Sequence, residues 1–278
     1  MPETINEIRQ RVKIAQKNYK SNIRVIESIL QHERRYVTKA PLNDDVVILM
    51  SGGLDSTVMA EYVIDKWNAK IHPLFLRRGA RSEKYEEKAF DFFIDFFRKK
   101  HPENMYAPFK INIDVPIKKI KAALPGPLAL TTGHPLRNST IQNVAVMYAI
   151  SLQTQGYNVN TIFSGSIGDD STEPELGLLS LRSQTLNTCI HLGDWNWQIT
   201  SPFTDPELTL DNQPLFKNDL IKYASEQAIP IEKTRTCFSS KELADGTCNA
   251  CIKRLEAFRY LNLEDPINYS GGNNGKSS

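Results

Sequence analysis

The 278-residue chain has only four cysteines, no long apolar run and no excess of one charge sign. Four cysteines cannot staple a fold of this length, and a chain this long buries enough surface to need no staples. The longest unbroken apolar stretch, residues 144–150, is far shorter than the ~20 residues that cross a bilayer. The opening MPETINEIRQ puts no apolar core behind a basic head, so no secretory signal is read there. Lys and Arg number 34 against 32 Asp and Glu, a net charge of +2. That balance argues against nucleic acid held mainly through its phosphates, and leaves room for a local basic patch. What is present is 40% hydrophobic residues, which excludes global disorder. A soluble, cytoplasmic protein of one large or two small domains is expected.

Residues 1–44 are polar with Ile5, Ile8, Val12, Ile23, Ile26, Ile29 and Leu30 at helical spacing. They read as an extension of one or two amphipathic helices. The β-branched run 46–50 then reads as a strand buried on both faces. Beyond it helices over 57–67, 82–100, 138–155 and 214–227 alternate with strands over 71–76, 106–113, 160–164 and 198–203. Ser82 is a candidate cap, and Pro214 suits a first helical turn. The alternation predicts an α/β fold, a Rossmann-like parallel sheet with helices on both faces, over residues 45–230. A small lobe (231–265) and a disordered tail (266–278) complete the expected organisation.

Between the first strand and first helix lies Ser51-Gly52-Gly53-Leu54-Asp55-Ser56, followed by Thr57. A loop there places glycine backbone and helix N–H groups at the carboxyl end of a strand, where anions bind. Paired glycines admit an anion without a Cβ in the way, and Ser51, Ser56 and Thr57 add hydroxyls. Asp55 repels phosphate unless a cation intervenes, so a divalent metal, Mg2+, is its expected partner. The lysine and glycine spacing of the Walker A loop are missing. A tight capped turn is the bland alternative. The whole string resembles the pyrophosphate loop of the N-type ATP pyrophosphatases. That resemblance implies ATP binding at Ser51, Gly52, Gly53, Leu54, Asp55, Ser56 and Thr57, with cleavage between the α- and β-phosphates.

Three of the cysteines cluster. Cys248 and Cys251 have the C-x-x-C spacing that grips a tetrahedral zinc, and Cys237, placed at the end of a strand, is a third thiolate. A redox pair or ordinary buried thiols are the alternatives. Thr-Arg-Thr-Cys-Phe (234–238), Asp-Gly-Thr-Cys-Asn-Ala-Cys (245–251) and Arg254 to Phe258 resemble the C-terminus of the 7-cyano-7-deazaguanine synthase (QueC) family. In that resemblance Asp245 falls where a fourth cysteine would be, and Zn2+ is implied at Cys237, Cys248, Cys251 and Asp245. Cys189 is the outside candidate for a fourth ligand. Pro135-Leu136-Arg137-Asn138-Ser139 resembles the family's Pro-Gly-Arg-Asn segment. Residues 164–175 resemble its post-strand loop, one residue shorter and with Glu173 in place of a tyrosine.

The resemblance implies adenylation of a 7-deazaguanine carboxylate by ATP, then capture by ammonia to give an amide and a nitrile. Asp55 and Arg137 are the implied catalytic residues, Gly165 joins the ATP set, and Arg137, Asn138, Asp170 and Glu175 are implied in substrate binding. A homodimer is expected. The unmatched residues 1–44 and the Asp245 departure mark a divergent member. The same family occurs in antiviral defence operons, which makes a protein amine the alternative acceptor. Transfer RNA thiolation and a non-catalytic nucleotide-binding protein are further alternatives, opposed by the near-neutral charge and by the presence of Asp55 and Arg137. Trp195 and Trp197 read as core.

Overall fold

The structure, a computed structural model, describes residues 4–115, 117–123 and 136–270. Five strands form one sheet: β1 (Asp45–Leu49), β2 (Lys70–Arg77), β3 (Phe109–Asn112), β4 (Val159–Phe163) and β5 (Gln198–Thr200). Their order is β3-β2-β1-β4-β5, and every pairing is parallel. Among the described residues the helices are α1 (Ile5–Arg34), α2 (Leu54–Trp67), α3 (Glu83–Lys100), α4 (Lys118–Ala123), α5 (Arg137–Gln153), α6 (Leu178–Leu192), α7 (Lys217–Glu226) and α8 (Asn249–Tyr260). No described helix is long and apolar enough to cross a membrane.

The continuous apolar run of β1 arises because side chains alternate across a sheet covered on both faces. Val46 and Ile48 pack with residues of α2, α3 and α7, while Val47 packs on the other face with α5 and α6. Each of these β1 residues is fully buried, so each face of the sheet has its own apolar layer. Trp197 and Cys189 belong to the second layer, and the Cys189 thiol donates to the Trp197 carbonyl at 3.4 Å. Cys189 is therefore a core residue and no metal ligand.

The extension is a single helix built into the body. Thr4 and Glu7 form a capping box at the start of α1, and Arg35 ends it at φ 67°. The buried Arg34 guanidinium donates to the Trp197 carbonyl at 2.6 Å, next to β5. Glu27 accepts from Arg182 at 3.0 Å, and Arg182 also holds Asp205 through two bonds of 2.6 and 2.7 Å. Arg182 and Asp205 are both fully buried, so the pair costs little only because each charge is matched and bonded.

Several expectations change. Helix α6 was not anticipated. Helix α7 begins three residues after Pro214. The Ser82 hydroxyl caps nothing and donates to Glu86 at 2.5 Å. No strand ends at Cys237, since the chain from Thr234 to Thr247 has no regular element. The tail expected from residue 266 is packed as far as Ser270: Tyr269 is buried, donates to Asp265 at 2.6 Å, and the Ser270 N–H reaches the Ala244 carbonyl. Residues 271–278 lie outside the described residues, as do His134 and Pro135 at the start of the Pro-Leu-Arg-Asn segment.

Candidate functional site

Strand β1 has β2 on one side and β4 on the other, so successive connections leave it in opposite directions. Ligands bind outside the carboxyl ends of strands at such a switch point. The loop 51–56 sits there. Gly52 takes φ +72°, and a Cβ on it would stand 2.5 Å from the Glu86 carbonyl oxygen and from the Phe90 amide nitrogen. The loop is thus pressed against α3 and needs glycine for both conformation and clearance. Gly53 caps α2 without a side chain, leaving the helix N-terminus open. The Ser51 N–H donates to Ser56 Oγ at 3.1 Å, and the Gly53 N–H reaches Ser51 Oγ at 3.3 Å.

A cleft of about 270 Å³ opens above this loop. Ser51, Gly53, Asp55 and Ser56 line it, with Gly165 after β4 and Arg137 and Asn138 at the start of α5. Apolar walls come from Leu74, Phe75 and Ile141, and Phe238 brings the C-terminal lobe to the rim. Leu54 and Thr57 stand behind the loop, fully buried, and the Thr57 hydroxyl has no partner among the described residues. Burial, reinforced by the nearby Arg78, lowers the pKa of Arg137 from its ordinary value. A cation so placed, without a carboxylate bonded to it among the described residues, is matched to an incoming anion.

Asp55 carries a partner that the sequence did not reveal. Lys217, the first residue of α7, donates to both Asp55 carboxylate oxygens at 2.8 Å. Its backbone N–H donates to Asp169 at 2.8 Å. Burial opposes the Lys217 charge, but Asp55, Asp169 and Asp170 outweigh it and raise its pKa. Burial raises that of Asp169. Sequence separation of 162 residues hid this pair, and no local motif surrounds Lys217.

Of the implied substrate residues, Glu175 accepts the Asn138 N–H at 3.4 Å, which places it at the start of α5 beside Arg137. Asp170 is ion-paired with Lys253 of α8 at 3.0 Å, and neither it nor Glu175 is among the residues lining the cleft.

The cysteine cluster is a second centre. One ligand atom each from Cys237, Asp245, Cys248 and Cys251 lies within 4.8 Å of all the others. The Cys237 and Cys248 sulfurs are 4.0 Å apart, close to the ~3.8 Å edge of a tetrahedron with ~2.3 Å zinc–sulfur bonds. One Asp245 oxygen accepts the N–H groups of Thr247 and Cys248, both at 2.9 Å, and these hold its pKa down at about 2. The donor set of three thiols and one ionised carboxylate fits a metal ion. The lobe also braces the loop 51–56, because the Arg235 N–H donates to the Gly52 carbonyl at 2.9 Å.

Comparison with known proteins follows the same outline. The family model described as queuosine biosynthesis protein QueC matches residues 45–262. A 7-cyano-7-deazaguanine synthase of Nautilia profundicola is 27% identical over 234 residues, covering 80% of this chain and 97% of the relative. One from Chloroherpeton thalassium is 28% identical over 230 residues, covering 80% and 96%. The solved structure of the U34-tRNA thiolase NcsA from Methanococcus maripaludis, at 13% identity, covers 86% of this chain and 72% of that one; its TM-score of 0.41 is too low to carry an argument.

Proposed function

The chain belongs to the QueC family of queuosine biosynthesis proteins, and on that premise we propose that it is an ATP-dependent ligase acting on 7-carboxy-7-deazaguanine. The single observation that carries this reading is the cleft at the switch point, where the glycine loop, Asp55 and Arg137 meet. A carboxylate is a poor electrophile, and adenylation gives it a good leaving group. The substrate carboxylate attacks the α-phosphorus of ATP, the bond to the β-phosphate oxygen breaks, and pyrophosphate leaves over the loop. Ammonia then displaces AMP to give the amide; a second ATP adenylates the amide oxygen with release of pyrophosphate, and loss of two protons and of AMP, which carries that oxygen away, leaves the nitrile.

In this reading the loop N–H groups and the Ser51 and Ser56 hydroxyls bind the departing phosphates, and Arg137 offsets negative charge at the transition state. Asn138 and Glu175 orient the base from the start of α5. Lys217 fixes the Asp55 carboxylate. Asp55, whose carboxylate keeps lone pairs beyond those that accept from Lys217, would hold Mg2+, which when bound neutralises phosphate charge. Cys237, Asp245, Cys248 and Cys251 would hold Zn2+, which supplies folding free energy to the lobe.

The test is incubation with ATP, magnesium, 7-carboxy-7-deazaguanine and ammonium, with pyrophosphate, AMP and the base followed by mass spectrometry. The expected result is AMP, pyrophosphate and the cyano base. Failure to consume the carboxylate overturns the substrate. A second acceptor, a protein amine, is favoured by α1, which lies outside the matched span and bonds the loop after β4 through Arg11 and Thr172. Its signature is a protein gaining the mass of the acylated base.

A further inference from the structure

Between Glu7 and Glu27 the chain has six Lys or Arg and no Asp or Glu, in a molecule whose total is only +2. Two of these cations are spent inward. Arg9 lies over the rings of Phe216 and Tyr260 and 3.7 Å from Asp219, and Arg11 bonds Thr172. The other four, Lys13, Lys17, Lys20 and Arg24, are exposed and follow the i, i+4, i+7, i+11 spacing that forms one row along a helix. None of the four makes a side-chain hydrogen bond or ion pair among the described residues. Beside this row stand Ile14 and Val25, 56% and 62% exposed.

We propose that this face of α1 docks an acidic amphipathic helix of a partner protein. The row spans about 16 Å at 1.5 Å per residue, which is the reach of three turns of a facing helix. Its charge demands carboxylates at matching spacing, and Ile14 and Val25 add an apolar contact near each end. An extended polyanion fits worse. Removing the six cations from the total of +2 leaves the remaining chain at −4. A nucleic acid or anionic bilayer reaching beyond the helix by more than a Debye length, about 8 Å, meets that net negative surface. A nucleic acid also has no use for the aliphatic pair at the depth of a phosphate contact. The surface adjoins the candidate site, because Tyr19 and Ile23 of α1 share a small cavity with residues 171–174, and Glu175 of the same loop bonds Asn138. The proposal rests on the face of α1 alone and holds for either acceptor.

The probe is a fluorescent helical peptide carrying Glu at i, i+4, i+7 and i+11 with a neighbouring Leu row, titrated by anisotropy at about 50 and 300 mM salt. Wild type should bind, more weakly at the higher salt. Lys13→Glu/Lys17→Glu/Lys20→Glu/Arg24→Glu should lose at least about tenfold, and Ile14→Ser/Val25→Ser about threefold, with unchanged thermal unfolding. Equal binding to the charge-reversed variant, no binding to wild type, or equal binding of a scrambled peptide of the same charge overturns the proposal. So does tighter binding of oligouridylate or of phosphatidylserine vesicles that is lost on charge reversal, which would assign the face to those polyanions. Pyrophosphate release is not read, so failure here is distinct from failure of the ligase reading.

Discussion

Replacing Lys217 by Met removes the ammonium from the Asp55 carboxylate while keeping an unbranched side chain of similar length. Lys217 is 6% exposed and Asp55 25%, so the pair is mostly, not wholly, out of water. Taking one partner from a buried ion pair costs about 3–5 kcal/mol, because the remaining charge is left uncompensated. Water reaching the partly exposed Asp55 reduces this to about 2–3 kcal/mol. At ~2–4 °C per kcal/mol for a chain of this size, the melting temperature should fall by about 5–10 °C. Asp55 also loses its fixed orientation, so pyrophosphate release should fall on the order of 10²-fold, the scale seen when one preorganised oxyanion-hole donor is removed. The assay pairs thermal unfolding with a pyrophosphate-release measurement, and adds Lys217→Met/Asp55→Asn. In the double variant the uncompensated charge is gone, so about 1–2 kcal/mol of stability should return while activity stays low. A Lys217→Met protein that melts and turns over like wild type would refute the reasoning, as would a double variant less stable than the sum of its single changes.

Asp55→Asn alone should keep the fold and abolish AMP formation, checked by chromatography of the nucleotide products; wild-type turnover would break the loop assignment. Gly52→Ala should be the most disruptive single change in the loop, costing on the order of 3 kcal/mol or more by denaturant unfolding, since its Cβ would press on the Glu86 and Phe90 backbone. Elemental analysis should find about one zinc per chain; Cys251→Ala should lose it and destabilise the lobe, and Asp245→Cys should retain it. Glu87, held down at about 2 by Arg77 and then Lys110, has a folded pKa below its unfolded one. Its contribution is therefore full above about pH 5 and lost as pH falls through 2. Glu87→Gln should be about 1–2 kcal/mol less stable than wild type at neutral pH, discounting for its partial exposure, with the gap closing near pH 2 in acid titrations.

The parallel α/β architecture was legible because its signal is local and repeated. The run 46–50 is apolar at every position, which only a strand covered on both faces tolerates, and β1 is that strand. Helix α6 was not legible, because Arg182, Gln184, Thr185 and Thr188 are buried polar residues that break its apolar periodicity. Three of them are explained only by distant partners: Arg182 by Asp205 and Glu27, Gln184 by Ser139 and Asn143, Thr185 by the Ile199 backbone. The tail was misplaced for a similar reason. Residues 266–270 look like loop, yet Tyr269 is held by Asp265, which is itself clamped by Arg254.

The same distinction divides the candidate site. Its glycine loop and its C-x-x-C pair could be read because their chemistry depends on spacing along the chain. Gly52 and Gly53 are consecutive, and Cys248 and Cys251 stand one helical turn apart at the start of α8. The charges that tune the site are set across the fold instead. Lys217 reaches Asp55 over 162 residues, Glu175 reaches Asn138 over 37, and Lys253 reaches Asp170 over 83. An isolated Asp next to two glycines suggested a metal between carboxylate and phosphate, and the fold supplies an ammonium on that carboxylate. Because Lys217 also begins α7 and is tied through its backbone to Asp169, the orientation of Asp55 depends on how α7 meets the loop after β4. That loop is gripped on its far side by α1 through Arg11 and Thr172. A displacement of α1 therefore has a continuous bonded route, through residues 169–172 and Lys217, to the carboxylate at the centre of the cleft.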